Sequence, residues 1–276
     1  MENAYFEEVH RAEKGYPYIN PDTGNLSYVV HFHDEAEIDC VREGETVVVC
    51  ENGSFEAKQG DICLFMPGEL HGFVSRGENN IFVMKAVVTG AEGQEGFLDL
   101  SKIRLLKNVI TKRDAVYQKL LSYVQDIQTE HAGKKPGFEY AVNALSLSAF
   151  VEVLRGVGFR AVTTKQSAQI AESMKLLRHA ERFVEQNYMR PVSLEEMADY
   201  CNFSKYYFSH YFKKVTGVSF FYYLTVYRLE RAMGLMKSTN HSMTEISYQC
   251  GFGSTRSFNR LFKKHFGVTP TEFRDQ

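Results

Sequence analysis

The sequence predicts an α+β multidomain chain: an N-terminal β-barrel followed by a helical segment, then an all-α C-terminal domain with two helix-turn-helix units joined by a long helix. Three observations carry this. Short alternating apolar runs fill residues 26–89, helical periodicity resumes after them, and a unit beginning at Ser193 recurs at Ser242. The length of 276 residues suits two domains, each able to bury its own core. The start MENAYFEEVHR has neither a basic end nor an apolar core, and no uncharged apolar run is long enough to span a bilayer. Secretion and membrane insertion are therefore not expected. The cysteines Cys40, Cys50, Cys63, Cys201 and Cys250 are odd in number, scattered and without a CxxC pair, which argues against disulfides and a structural zinc site and for a reducing cytoplasm.

The net charge of −2 hides an asymmetry. Residues 165–276 carry 16 Lys+Arg against 10 Asp+Glu, so +6, and the remainder carries 16 against 24, so −8. A basic C-terminal third on an acidic partner suggests a polyanion for that third alone.

Residues 1–100 read as the all-β domain. Runs such as LSYVVHFH, TVVVCENGS and DICLFMPGE are strand-like and separated by turn residues. Within them stand His31-Phe32-His33, Glu37 and Gly44, then Gly60-Asp61, Pro67-Gly68 and His71. This spacing resembles the two motifs of the cupin barrel. In metal-binding cupins the paired histidines, the glutamate and the later histidine converge on one ion. The resemblance thus implies that His31, His33, Glu37 and His71 bind the effector and are the ligands of a divalent transition metal such as Zn, Fe, Mn, Ni or Cu. Without an ion they would line the barrel mouth and hydrogen-bond an effector or one another. Phe32, Phe65, Met66 and Phe73 would wall a small-molecule pocket or fill the core. The arm from Tyr5 to Asn25 carries no readable pattern.

Residues 101–157 read as helical: IRLLKNVI, then YQKLLSYVQDIQ, and after a Gly-Lys-Lys-Pro-Gly breaker FEYAVNALSLSAFVEVLRGV. Leu120, Leu121, Val124 and Ile127 form one stripe, and Ala144, Leu147, Phe150, Val151 and Leu154 another. Two antiparallel helices packed on the barrel are expected. Residues 158–169, without periodicity, read as a linker.

In residues 170–276 the repeat sets the organisation. Its matching pairs include Glu196/Glu245, Cys201/Cys250, Phe208/Phe258, Phe212/Phe262 and Gly217/Gly267. Each copy, about 193–217 and 242–267, opens with Ser-x-x-Glu, the pattern of a capping box. Each breaks at a turn, restarts at Ser204 or Ser254, and closes at a glycine suited to a helix C-terminus. Helix, tight turn and helix make the unit that enters the DNA major groove. In the second helices Phe208, Tyr211, Phe212 and Val215, then Phe258, Leu261 and Phe262, recur at helical spacing and face a core. The opposite faces carry Lys205, Tyr206, Ser209, His210 and Lys213, then Thr255, Arg256, Asn259, Arg260 and Lys263. Tyr206, Ser209, His210, Thr255, Arg256 and Asn259 suit base edges, and Lys213, Arg260 and Lys263 suit phosphates. Residues 219–239 read as one helix of roughly 30 Å, close to the ~34 Å between major-groove faces on one side of the duplex.

These residues carry a resemblance to the AraC/XylS family of regulators. The run EISYQCGFGSTRSFNRLFKKHFGVTPTEFR is similar to the family signature, and SLEEMA, Phe212-Lys213-Lys214, Arg228 and Ala232 stand in register with the rest of its DNA-binding domain. Ser257, Cys250, Ser247 and His210 depart from the commoner residues, so the roles of the helices transfer more closely than individual base contacts. The family's sensor domain shares the cupin barrel. The resemblance implies a sequence-specific transcription regulator whose partners are double-stranded promoter DNA, a small effector (often a sugar or related metabolite), RNA polymerase and a second copy of the chain through the middle helices. A non-enzyme is expected. The alternative from another class is a metal-dependent cupin enzyme with a DNA-binding appendage, which the set His31, His33, Glu37 and His71 favours; an RNA-binding or purely structural role fits paired helix-turn-helix units poorly.

Overall fold

Strict alternation gives the strands of the first unit two different faces, and each face finds its own core. The computed structural model describes residues 17–23, 28–51, 53–88 and 98–275. The chain divides into two compact units, residues 1–26 with 32–167 and residues 27–31 with 168–276. Most of the arm Tyr5–Asn25 lies outside the described residues.

The strands are β1 (Tyr18–Asn20), β2 (Tyr28–His31), β3 (Ala36–Cys50), β4 (Gly53–Lys58), β5 (Ile62–Phe65), β6 (His71–Ala86), β7 (Ile103–Leu105), β8 (Val109–Ile110) and β9 (Phe159–Ala161). One sheet runs β1-β6-β3-β5-β8, with β4 added on β3. Strands β3 and β6 pair from Ala36↔Ala86 to Cys50↔His71, with register shifts between Val41 and Glu43 and between Gly44 and Thr46. Such irregularities bend a strand pair and sharpen its twist.

On one face Ile38, Cys40, Ile62, Leu64, Phe82 and Met84 form a buried cluster with α1 (Tyr117–Gly133) and α2 (Phe138–Gly156) through Leu120, Val124, Ile127, Val142, Phe150 and Val153. On the other, Val41, Val48, Cys63, Phe65, Phe73, Ile81 and Val83 form a second cluster. The two helices therefore cover the sheet as expected, α1 with the Leu120, Val124 and Ile127 face its periodicity predicts.

Several expectations need correction here. Residues 103–105 and 109–110 are strands, not helix: β7 pairs with β9 and β8 with β5. A short apolar run does not distinguish the two states by itself, and the sheet edge decided it. The linker expected at 158–169 is ordered, since β9 pairs with β7 and α3 (Thr164–Asn187) already begins within it. Of the two roles open to Met66, the structure gives it that of core, in the helix-side cluster. The stripe on α2 is rotated: Val142, Ser146, Ala149, Phe150 and Val153 are buried, whereas Leu147 and Val151 are 44% and 40% exposed. Ser146 tolerates burial because its hydroxyl donates to the Val142 carbonyl at 2.7 Å.

In the second unit the repeat folds as two equivalent units. The first is α4 (Leu194–Tyr200) and α5 (Lys205–Thr216); the second is α7 (Met243–Gln249) and α8 (Thr255–Phe266). Both capping boxes form, Ser193 with Glu196 and Ser242 with Glu245. Gly217 and Gly267 end α5 and α8 in the left-handed conformation. Phe208, Phe212, Phe258 and Phe262 are fully buried. Between the units α6 (Phe220–Ser238) is one uninterrupted helix, roughly 28 Å long at the standard rise. A short helix α9 (Pro270–Arg274) closes the chain, with Phe273 packed against the second unit's cluster.

Glu230 of α6 is a buried carboxyl whose pKa burial pushes up to about 8, against the opposing charge of Arg231. Because its folded value lies above its unfolded one, the folded chain keeps a proton that the unfolded chain releases, and stability falls as pH rises from about 4.5 to 8. Glu230→Gln is expected to melt like the parent near pH 4 and above it at pH 8; melting curves that stay parallel across this range would refute the assignment.

Candidate functional site

Two regions gather chemistry, the outer faces of α5 and α8 and the interior of the sheet. On α5, Lys205, Tyr206, Ser209, His210 and Lys213 are all exposed, Tyr206 at 86%. On α8, Arg256, Asn259, Arg260 and Lys263 are exposed and Thr255 is half-buried. Two of these residues have partners that the sequence did not reveal. Lys205 forms an exposed ion pair with Glu195 of α4, and the Thr255 hydroxyl lies 3.1 Å from that of Ser247. Both contacts join the two helices of a unit. They set the angle at which the second helix leaves the turn.

The turns differ in a telling way. The first passes through Asn202 at φ 57° and the second through Gly251 at φ 76°. In each, the next amide donates back into the first helix, Phe203 to Ala198 at 2.9 Å and Phe252 to Ser247 at 3.0 Å. Asparagine tolerates the left-handed region better than most residues, so the first turn survives without glycine. The second cannot take a side chain, because a Cβ on Gly251 would sit 2.1 Å from the Tyr188 carbonyl oxygen and 3.0 Å from Arg228 Nε. Arg228 explains the crowding: from the middle of α6 its Nε donates to Tyr188 O at 2.8 Å and its Nη2 to Arg190 O at 2.7 Å. One guanidinium thereby ties the end of α3 to the helix between the two units, directly beneath the second turn.

In the sheet interior, the ligand atoms of His33, Glu37 and His71 all lie within 4.8 Å of one another, while His31 falls in the second compact unit. His33, Glu37 and His71 are each at most 5% exposed. Period-two alternation along β3 puts Asp39 on the same face as Glu37, and the register Glu37↔Lys85 brings a lysine from β6 beside it. The approach to His71 is held by Arg104 of β7, whose guanidinium donates to Glu51 at 2.9 and 3.1 Å and to the Gly68 carbonyl at 3.2 Å. The Gly68 amide in turn donates to the His33 carbonyl at 2.8 Å, and Phe65 stacks on His71 at 4.1 Å.

The proton positions follow from the acceptors. His33 Nδ1 lies 3.0 Å from the Glu35 carbonyl and His71 Nδ1 2.8 Å from the Glu69 carbonyl. A carbonyl only accepts, so a neutral ring in either place carries its proton on Nδ1 and a lone pair on Nε2. Both Nε2 atoms nevertheless point at one oxygen, Glu37 Oε2, from 2.5 and 3.3 Å. Burial first, and Lys85 second, lower the His33 pKa to about 4. Burial pushes Glu37 up, but Lys85, His71 and the hydrogen bonds of both histidines together hold it well below the usual carboxylate range. Lone pairs thus converge on a point where only a cation or a proton relieves them, and Lys85 Nζ, 3.3 Å from the same oxygen, supplies part of that charge. Imidazole nitrogens with a carboxylate, each ring anchored by Nδ1–H to a carbonyl, also make the donor set that suits a divalent transition metal. Beside it stands the buried Asp39, whose pKa is raised well above the ordinary value by burial, followed by the charge of Glu37 and a side-chain hydrogen bond with it. Sequence reasoning missed Asp39, Lys85 and Arg104. Alternation alone would have found Asp39, whereas the other two depend on long-range pairing.

Comparison with known proteins completes the picture. The model of an AraC-like ligand binding domain matches residues 19–96, and that of a helix-turn-helix domain matches residues 197–276. The HTH-type transcriptional activator RhaS of Yersinia pestis (strain Pestoides F) is 27% identical over 253 residues, covering 89% of each chain. A transcriptional regulator from Chromobacterium violaceum, described as having an AraC-type DNA-binding domain, is 33% identical over 38% of this chain and 95% of its own, with a TM-score of 0.37. ToxT of Vibrio cholerae, solved with an unsaturated fatty acid bound, covers 96% of both chains at 16% identity and a TM-score of 0.50.

Proposed function

We propose, on the premise that the chain belongs to the AraC family of transcription regulators, that its α5 and α8 read two successive major-groove segments of promoter DNA under the control of a small effector held by the N-terminal domain. The observation that carries this is the pair of equally capped units with exposed, chemically different faces. Tyr206, Ser209 and His210 read bases from α5, and Thr255, Arg256 and Asn259 from α8. Lys213, Arg260 and Lys263 take phosphates, while Lys205 must leave Glu195 before it can join them. The relatives are transcriptional activators by name, which supports a regulator rather than an enzyme, active in the cytoplasm and in contact with RNA polymerase.

Selection of preferred sites from random duplex, with and without a metabolite panel that includes sugars, tests this reading. Arg256→Ala should relax preference at one group of base pairs, at a cost of about 1–3 kcal/mol, and Ser209→Ala at another group about one helical turn away. Lys263→Ala should weaken all sequences alike and reduce the salt slope by about 1. Footprints that protect a single major groove would defeat the two-reader model.

Dimerisation through α2 has support in its exposed apolar residues: Tyr140, Leu147 and Val151, at 83%, 44% and 40% exposure, fall on one side at spacings of seven and four, with exposed Ala144 among them. Sedimentation of the parent against Leu147→Glu decides it.

A second reading is favoured by the lone pairs that converge on Glu37. His33, Glu37 and His71 would hold a divalent transition metal, which when bound supplies Lewis acidity or a structural tie. Metal analysis of protein purified without chelator discriminates: a stoichiometric ion supports the site, and its absence removes the basis for the enzyme alternative.

A further inference from the structure

We infer that the first unit carries a second ligand site, outside the sheet interior, that takes a small organic anion with a short apolar body. A cavity of 360 Å³ opens between the β1 edge of the sheet and the C-terminal end of α1. That volume is within the range of small-molecule pockets. Its wall has two chemical halves. Ile19, Pro21 and Phe82 make an apolar side, and Arg42 and Lys134 make a cationic one, with the imidazole of His131 also in the wall. Among the described residues that line it, none is acidic.

The cationic half is built rather than incidental. Arg42 leaves the bulged part of β3, and its Nη1 donates to the Pro21 carbonyl at 2.8 Å, which holds the guanidinium at the rim. Lys134 sits in the left-handed conformation at φ 44°, where it ends α1, and its amide closes the helix by donating to Glu130 O at 3.0 Å. His131, one turn earlier, feels both influences: burial and then the charge of Lys134 lower its pKa. The carbonyl end of α1 contributes about half a negative charge, less than Arg42 and Lys134 together supply. The net field therefore favours a carboxylate or phosphate, and the apolar half favours a hydrocarbon or ring attached to it. A guanidinium paired in this way selects a carboxylate over a neutral group of the same shape.

Calorimetric titration of the full chain with hexanoate, hexanamide and inorganic phosphate tests the site. Hexanoate should bind saturably, with hexanamide and phosphate each weaker by about tenfold or more because each lacks one half of the recognition. Arg42→Ala and Lys134→Ala should each weaken hexanoate by about tenfold while leaving the melting temperature unchanged, since both side chains are exposed, and Arg42→Lys should restore part of the loss. The His131 imidazole, followed by NMR, should titrate at higher pH when hexanoate is bound. Equal affinity for hexanoate and hexanamide, no saturable hexanoate binding, or undiminished binding by both alanine variants would each overturn the inference.

Discussion

Gly251→Ala is expected to abolish detectable DNA binding and to destabilise the second unit by about 4 kcal/mol, the sum of a left-handed non-glycine residue and the lost charge-assisted bonds of Arg228. The added Cβ would lie 2.1 Å from the Tyr188 carbonyl, so either the turn or the Arg228 clasp must move. Both fix the direction in which α8 leaves α7. Urea denaturation monitored by circular dichroism, together with fluorescence anisotropy on a selected duplex, measures the two effects. A variant with parental midpoint and affinity would contradict the crowding. The equivalent exchange in the first unit, Asn202→Gly, should change stability by only about 0.5 kcal/mol, because Asn202 already tolerates its φ of 57°.

Glu37→Ala should cost about 3–5 kcal/mol, the range for stripping one partner from a buried ion pair. Lys85, only 4% exposed, would keep a charge with Asp39 in place of its nearest carboxylate, and both histidines would lose their shared oxygen. Lys85→Met added to Glu37→Leu should recover much of the loss, since removing both charges leaves apolar groups among Ile81, Val83 and Phe65. Guanidinium midpoints of the two variants decide the matter; a double variant no more stable than Glu37→Ala would mean that Lys85 is solvated by some other route. Metal content should vanish in both if the cluster holds an ion.

How far the sequence could be read depended on how local each interaction is. The capping boxes, the closing glycines and the four buried phenylalanines are short-range patterns, and the second unit matches them residue for residue. The histidine and glutamate set is also legible by spacing, because each residue sits on a strand whose alternation is visible. Lys85 reaches Glu37 only through the β3–β6 register, and Arg104 reaches the Gly68 turn only because residues 103–105 become a strand rather than a helix. The rotated face of α2 has a similar cause. Its sequence is apolar nearly all round, so which side is buried was decided by the sheet beneath it and not by periodicity. Cavity chemistry was the least legible, since the residues around the β1–α1 cleft come from four separate elements.

The nested pairing of β3 with β6 also bears on the order of events in folding. Its outermost rung joins Ala36 to Ala86, with β4 and β5 enclosed between them, whereas each helix-turn-helix unit closes within about one turn and two short helices. Distant pairings must meet the entropy of a large loop before they return any stabilisation, and domains dominated by them assemble slowly. On dilution from denaturant the helical unit should thus acquire its secondary structure in an early phase and the sheet in a later one. For that interval the chain would hold helices able to engage DNA without the domain that governs them, a transiently unregulated form whose lifetime is set by β3 finding β6.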